Sequence, residues 1–161
     1  MGDAVVHFEI LEPDDVLAAK FYSELFGWHT EAKPEMQYTL VDTHASGGIN
    51  GGIGKAEGTS WSTFYVEVAD PQAALDKAES LGGKTTMPVM EIPGVVTYAQ
   101  FTDLDGLVIG LVKSGSEEMK VEGSNAPLAW FEIASPDPER AWKFYSELFG
   151  WHVSKIGRAH V

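Results

Sequence analysis

His7 and Glu9 stand two residues apart in Val5–Leu11, where apolar and polar side chains alternate. An extended chain sends every second side chain to one face. The imidazole and the carboxylate would therefore lie side by side, with Leu11, while Val6, Phe8 and Ile10 face the other way. Trp61–Val68 places Thr63, Tyr65 and Glu67 on one face in the same manner. Imidazole and carboxylate groups are both donors to a divalent metal, so His7, Glu9 and Glu67 could share an ion if their strands are neighbours. The stronger reading of these residues is a polar strand face that holds no metal. The chain has no Cys, which excludes thiolate catalysis and disulfides. The glycine-rich run Gly47–Gly54 is not a phosphate loop, because it lacks the Lys–Ser/Thr ending and no helix pattern follows it. Glycine in such a strand lets a sheet curl or leaves space beside it.

The elements that must position these residues can be read in order. After the strand Val5–Leu11, Pro13 and Asp14–Asp15 open a helix. Leu17, Phe21 and Leu25, with Ala18, Tyr22 and Phe26, give it one apolar stripe, and Gly27 ends it. Trp28 reads as core beside Phe21 and Tyr22. Strands are predicted over Trp28–Ala32, Met36–Asp42 and Gly48–Gly54. The pattern then restarts: a strand at Trp61–Val68, a helix from Asp70–Pro71 to Leu81, and strands at Thr85–Glu91, Val95–Thr102 and Leu107–Val112. Asp103–Leu104–Asp105–Gly106 is a hairpin turn between the last two. Residues 4–113 thus read as two βαβββ modules, about 4–56 and 60–113, forming one domain over residues 1–115.

Lys20–His29, KFYSELFGWH, recurs letter for letter at Lys143–His152. The repeat extends upstream, where Glu9 recurs as Glu132 but His7 becomes Trp130. It keeps the carboxylate and drops the histidine. Residues 116–127 form a polar linker, and 128–155 read as the first strand and helix of a second domain that is cut short. Residues 156–161, IGRAHV, match what a common sequencing adapter encodes, and are set aside as an artefact. A truncated domain would leave a strand edge and an apolar helix face without partners. Either a frayed tail or a domain-swapped homodimer is then expected. His29 reads as a packing or capping residue, and His44 and His160 carry weaker signals.

Formal net charge is −13, from 24 acidic and 11 basic residues, so a nucleic-acid partner is not expected. Hydrophobic residues make up 44% of the chain, ordinary for a globular core, and no run is long enough to span a membrane. With no signal-peptide pattern, a cytoplasmic location is the default.

FYSELFGW in the first helix, LGGK after the second and DLDGLVIGL at the end appear in this order within paired βαβββ modules. The chain thereby resembles the vicinal oxygen chelate superfamily, which includes glyoxalase I, bleomycin-resistance proteins and extradiol dioxygenases. Within it, the tandem glyoxalase-like proteins are most similar. The resemblance covers residues 4–113 and, as the start of a further domain, 128–153. It implies an α+β fold in which the two modules curl into a partly closed mixed sheet around a cavity, with helices outside. Phe8, Ile10, Phe64 and Val66 would pack under the helices. His7, Glu9, Thr63, Tyr65, Glu67 and Gly110 would line the cavity. Metal-dependent members take one ligand from the first and one from the last strand of each module, and the metal acts as a Lewis acid. His7 falls at the first of these positions. Thr63 is a poor ligand at the second, Gly110 replaces a carboxylate, and Ile49–Gly54 offers only Asn50. No tightly held cofactor is therefore expected, a divalent metal on His7, with Glu9 and Glu67, being the alternative. The function implied is binding of a small molecule, a cationic one given the acidic residues. A metal-dependent lyase, isomerase or dioxygenase is the alternative, and whether the chain is an enzyme stays open.

Overall fold

The computed structural model of the chain describes residues 2–43, 47–113, 128 and 130–154. The predicted linker and artefact segments, His44 and His160 lie outside the described residues. Alternation in the first strand, β1 (Val5–Glu12), holds as expected, with Phe8 and Leu11 buried. Asp14 caps the first helix, α1 (Asp15–Phe26): its carboxylate accepts from the Leu17 amide at 2.9 Å. Gly27, at φ 69°, supplies the left-handed residue that ends the helix. Strands β2 (His29–Lys33), β3 (Tyr38–Asp42) and β4 (Asn50–Lys55) complete the first module. A one-turn 3-10 helix at Pro34–Met36 removes Met36 from the predicted strand. The second module repeats the series: β5 (Trp61–Val68), α2 (Pro71–Ser80), β6 (Lys84–Ile92), β7 (Val96–Thr102) and β8 (Val108–Lys113). Asp70 caps α2 through the Gln72 and Ala73 amides.

All eight strands form one open, mixed sheet in the order β2-β3-β4-β1-β5-β8-β7-β6. β1 and β5 lie antiparallel at its centre and join the modules. Outward from that seam, each half runs first, fourth, third, second strand, with β1–β4 and β5–β8 parallel. This twofold pseudo-symmetry makes Glu9, opposite Gly52, the counterpart of Tyr65, opposite Gly110. On the helix side, Val66, Ala99, Phe101, Ile109 and Leu111 pack with Leu75 and Ala78 of α2. Phe8, Val41 and Ile53 pack with Ala18 and Trp28, and Ile10 and Phe64 are partly buried. Full burial of each large side chain contributes about 1.5–3 kcal/mol. The α+β curled sheet read from the sequence is the observed architecture.

Two expectations are corrected. The apolar stripe of α1 is not one buried face: Ala18, Ala19 and Tyr22 turn to the sheet, while Leu17, Phe21 and Leu25 are exposed. A sheet can cover only about one side of a helix, and this stripe is wider than that. The strand expected at the start of the second repeat does not form among the described residues. Its one ladder contact is an isolated bridge between Ile49 and Leu128. β1 is a strand because β4 and β5 flank it, and residues 130–134 have no such neighbours. The repeat's helix does form, as α3 (Pro138–Phe149), with the same Asp cap and a glycine at φ 69° behind it. It is not frayed. It docks on the second module beside α2, burying Ala141, Phe144, Tyr145, Leu148 and Phe149.

Candidate functional site

The face of the sheet opposite the helices gathers its chemistry at the β1–β5 seam. Five side chains form one hydrogen-bonded chain there. His7 Nε2 lies 3.0 Å from the Tyr38 hydroxyl, which donates to Glu9 Oε2 at 2.9 Å. From the other side, Gln100 Nε2 donates to the Tyr65 hydroxyl at 2.8 Å, and that hydroxyl donates to Glu9 Oε1 at 3.2 Å. Because Tyr38 gives its proton to Glu9, its oxygen accepts from His7, which makes the imidazole the Nε2–H tautomer. Each bond in the chain thus points toward Glu9, and its carboxylate accepts from both modules.

Burial sets the protonation states. It lowers the His7 pKa to about 4, so the ring is neutral at physiological pH. Burial raises the Glu9 pKa, and the hydrogen bonds from Tyr38 and Tyr65 oppose that rise. Both phenols are pushed upward, chiefly by burial and then by the Glu9 charge, so they remain donors. Glu9 is a part-buried carboxylate whose hydrogen-bond partners are all neutral, and among the described residues no ion pair reaches it.

The glycines explain how the tyrosines fit. A Cβ on Gly52 would lie 2.0 Å from the Tyr38 hydroxyl oxygen, and one on Gly110 would lie 2.2 Å from the Tyr65 ring. The two tyrosine side chains fill the spaces that side chains of β4 and β8 would take. Sequence reasoning placed Gly110 on this face but missed its occupant, and it missed Tyr38 and Gln100 altogether. Tyr38 shares a face of β3 with Leu40, opposite the glycine run of β4, which is the signal that could have found it. Gln100 gives no comparable sign, since only the register of β7 with β8 sets it against Gly110.

Of the other predicted residues, Thr63 is buried and spends its hydroxyl on the Val108 carbonyl at 2.6 Å. Glu67 shares the face, on the strand that also carries Tyr65, but no hydrogen bond joins it to Glu9 among the described residues. His7, Glu9 and Glu67 do not form a cluster: among the described residues no three His, Asp or Glu side chains gather to hold a metal ion. Asn50 accepts from the backbone amide and hydroxyl of Thr43 at 3.0 and 3.2 Å. With Thr63 and Asn50 engaged and Gly110 lacking a side chain, His7 and Glu9 are the only His, Asp or Glu side chains in this chain of hydrogen bonds. The donor set does not fit a four-ligand metal site. An open groove lined by Asp70, Gln72, Val89, Thr97 and Lys113 lies at the start of α2, and none of the five cluster side chains lines it.

A pseudo-twofold pair of βαβββ modules, with polar residues at the central seam, defines the class of this protein. The chain belongs to the Glyoxalase/Bleomycin resistance protein/Dioxygenase superfamily, whose family profile matches residues 4–111. It is 29% identical over 149 residues to a Mycobacterium tuberculosis protein that carries the name glyoxylase CFP32, covering 85% of this chain and 56% of the relative. It is 25% identical over 174 residues to anthracycline biosynthesis protein DauV of Streptomyces sp. strain C5, covering 96% and 63%. The chain therefore spans less than two thirds of the length of these relatives. Among solved structures, the halotolerant catechol dioxygenase BphC matches with a TM-score of 0.64 at 17% identity, covering 94% of this chain and 56% of that one. The Mn(II)-bound glyoxalase from Novosphingobium aromaticivorans matches at 0.60 and 16%, covering 95% and 54%. At such identities the likeness is one of fold. Among the described residues no helix is long and apolar enough to cross a membrane.

Proposed function

We propose that this chain is a small-molecule-binding protein whose ligand presents a protonated amine, or a similar cation, to Glu9. The observation that carries this reading is the part-buried Glu9 carboxylate, held among the described residues only by neutral partners. Burial disfavours its charge, and a cation brought to it would relieve that cost. The Tyr38 and Tyr65 hydroxyls fix the carboxylate. His7, Glu9 and Tyr38 are only partly buried, which leaves the cluster an approach from the sheet's open face. The names of the relatives, a glyoxylase and an anthracycline biosynthesis protein, agree with small organic ligands.

The test is displacement of a cationic dye by a panel of organic amines and cationic antibiotics, followed by Glu9→Gln. The neutral isostere keeps the shape and loses the charge, so binding should weaken at least about tenfold, the equivalent of ~1.4 kcal/mol. No binding across the panel, or equal binding by Glu9→Gln, would sink the proposal. The metal-dependent lyase, isomerase or dioxygenase reading rests on His7 and Glu9 converging on Tyr38. It requires near-stoichiometric metal in the purified protein that disappears in His7→Ala.

A further inference from the structure

The chain carries its own control for what covers a helix of this sequence. α1 and α3 share Lys20–His29 and Lys143–His152, and both build the same aromatic knot. Tyr22 stacks on Trp28 at 6.0 Å between ring centroids and Tyr145 on Trp151 at 5.7 Å, while Phe8 and Phe131 meet those tryptophans at 5.4 and 5.6 Å. The difference lies on the outer side. Phe144, Leu148 and Phe149 are 3, 6 and 2% exposed, whereas their counterparts Phe21, Leu25 and Phe26 are 57, 58 and 37% exposed. Val16 and Leu17 extend the open patch by a further turn. Exposed apolar side chains in one contiguous patch mark an interaction surface.

The described residues show what covers the α3 face. Phe144 meets Phe101, and its ring tip reaches to 3.3 Å from where a Cβ on Gly83 would stand. Tyr145 donates to Asp103 Oδ2 at 2.6 Å, and Arg140 pairs with Asp105 at 2.9 Å. The receiving surface is the helix side of residues 61–113, with the Asp103–Gly106 turn as its polar anchor.

We propose that the outward face of α1 is a docking surface for a second copy of this chain, whose residues 61–113 receive it as they receive α3. Phe21 and Leu25 take the places of Phe144 and Leu148. Tyr22 takes that of Tyr145 and donates to Asp103. α1 keeps its knot with Trp28 and Phe8, as α3 keeps the matching knot with Trp151 and Phe131 while docked. The substitution has one loss: Leu17 stands where Arg140 pairs with Asp105. The tethered α3 also competes at an effective concentration of about millimolar. α1 therefore occupies the site of a copy whose α3 has been loosened.

The experiment mixes wild-type chain with Phe144→Glu, which puts a charge under α3, and reads mass by analytical ultracentrifugation at about 100 μM, a concentration above a micromolar Kd. Doubling of the mass is expected, and Phe21→Glu in both chains should weaken association at least about tenfold, or ~1.4 kcal/mol. A paired Tyr145→Phe/Arg140→Ala chain, which removes the two anchors without placing a charge in the core, serves if Phe144→Glu fails to fold. Mixtures that stay monomeric with a folded, loosened partner, or association indifferent to Phe21→Glu, overturn the proposal.

Discussion

α1 and α3 end on the same seven residues, Lys20–Phe26 and Lys143–Phe149, set on two different backgrounds. In α1 the sheet of the first module takes Ala18, Ala19 and Tyr22 and leaves Phe21 and Leu25 open. In α3 no sheet of its own forms, yet nearly the whole apolar side is buried on the second module. The helix itself, its Asp cap and its terminal glycine are local consequences of sequence and are identical in both. Which phenylalanine carries stability is not local at all. It follows from what the neighbouring module presents.

The largest test of that contrast is Phe144→Ala against Phe21→Ala. Removing a fully buried ring costs about 3–5 kcal/mol, while the exposed twin should cost under about 1 kcal/mol. Denaturant melts of the two variants would show this, and equal losses would dissolve the distinction.

The upstream repeat sharpens it through pH. His7 is held in the cluster, whereas Trp130 at the repeated position is 78% exposed. At pH above about 6.5 His7 is neutral folded and unfolded, and contributes no pH dependence. As pH falls from there toward about 4, the unfolded chain takes up a proton that the folded chain refuses, so stability declines, by up to about 3 kcal/mol for this group. Glu9 works in the opposite sense over its own range: its raised folded pKa lets the native state take up a proton before the unfolded one. His7→Gln should flatten the decline between pH 6.5 and 4 in thermal melts. An unchanged profile would mean that His7 titrates freely.

A smaller effect is expected at Tyr145→Phe, which leaves the buried Asp103 without that hydroxyl and should cost about 1–3 kcal/mol. Tyr22→Phe in the monomer should fall within about 0.5 kcal/mol of wild type. The smallest is Arg140→Ala, which removes a half-exposed ion pair worth about 0.2–1 kcal/mol, less in high salt. A large loss there would move the anchoring of α3 from its rings to its charges.

Much of this molecule was legible before any coordinates. Alternation fixed which residues of β1 and β5 share a face, because a strand has no other way to distribute side chains. Asp14 and Asp70 marked the starts of α1 and α2, and Gly27 the end of α1, through backbone chemistry that acts within one turn. His7 and Glu9 could be named as neighbours for the same local reason. Tyr38 and Gln100 could not be joined to Glu9, since that depends on the register of β3 with β4 and of β7 with β8. Nor could the sequence say that two tyrosines would fill the spaces left by Gly52 and Gly110. A glycine declares room, and only the packed sheet decides what enters it. The repeated helix makes the same point most plainly. Its sequence dictates a helix with an apolar side in both places, because hydrogen bonds, caps and periodicity act along the chain. Whether that side is core or surface was decided by tertiary structure, because burial depends on which surfaces distant segments bring to it.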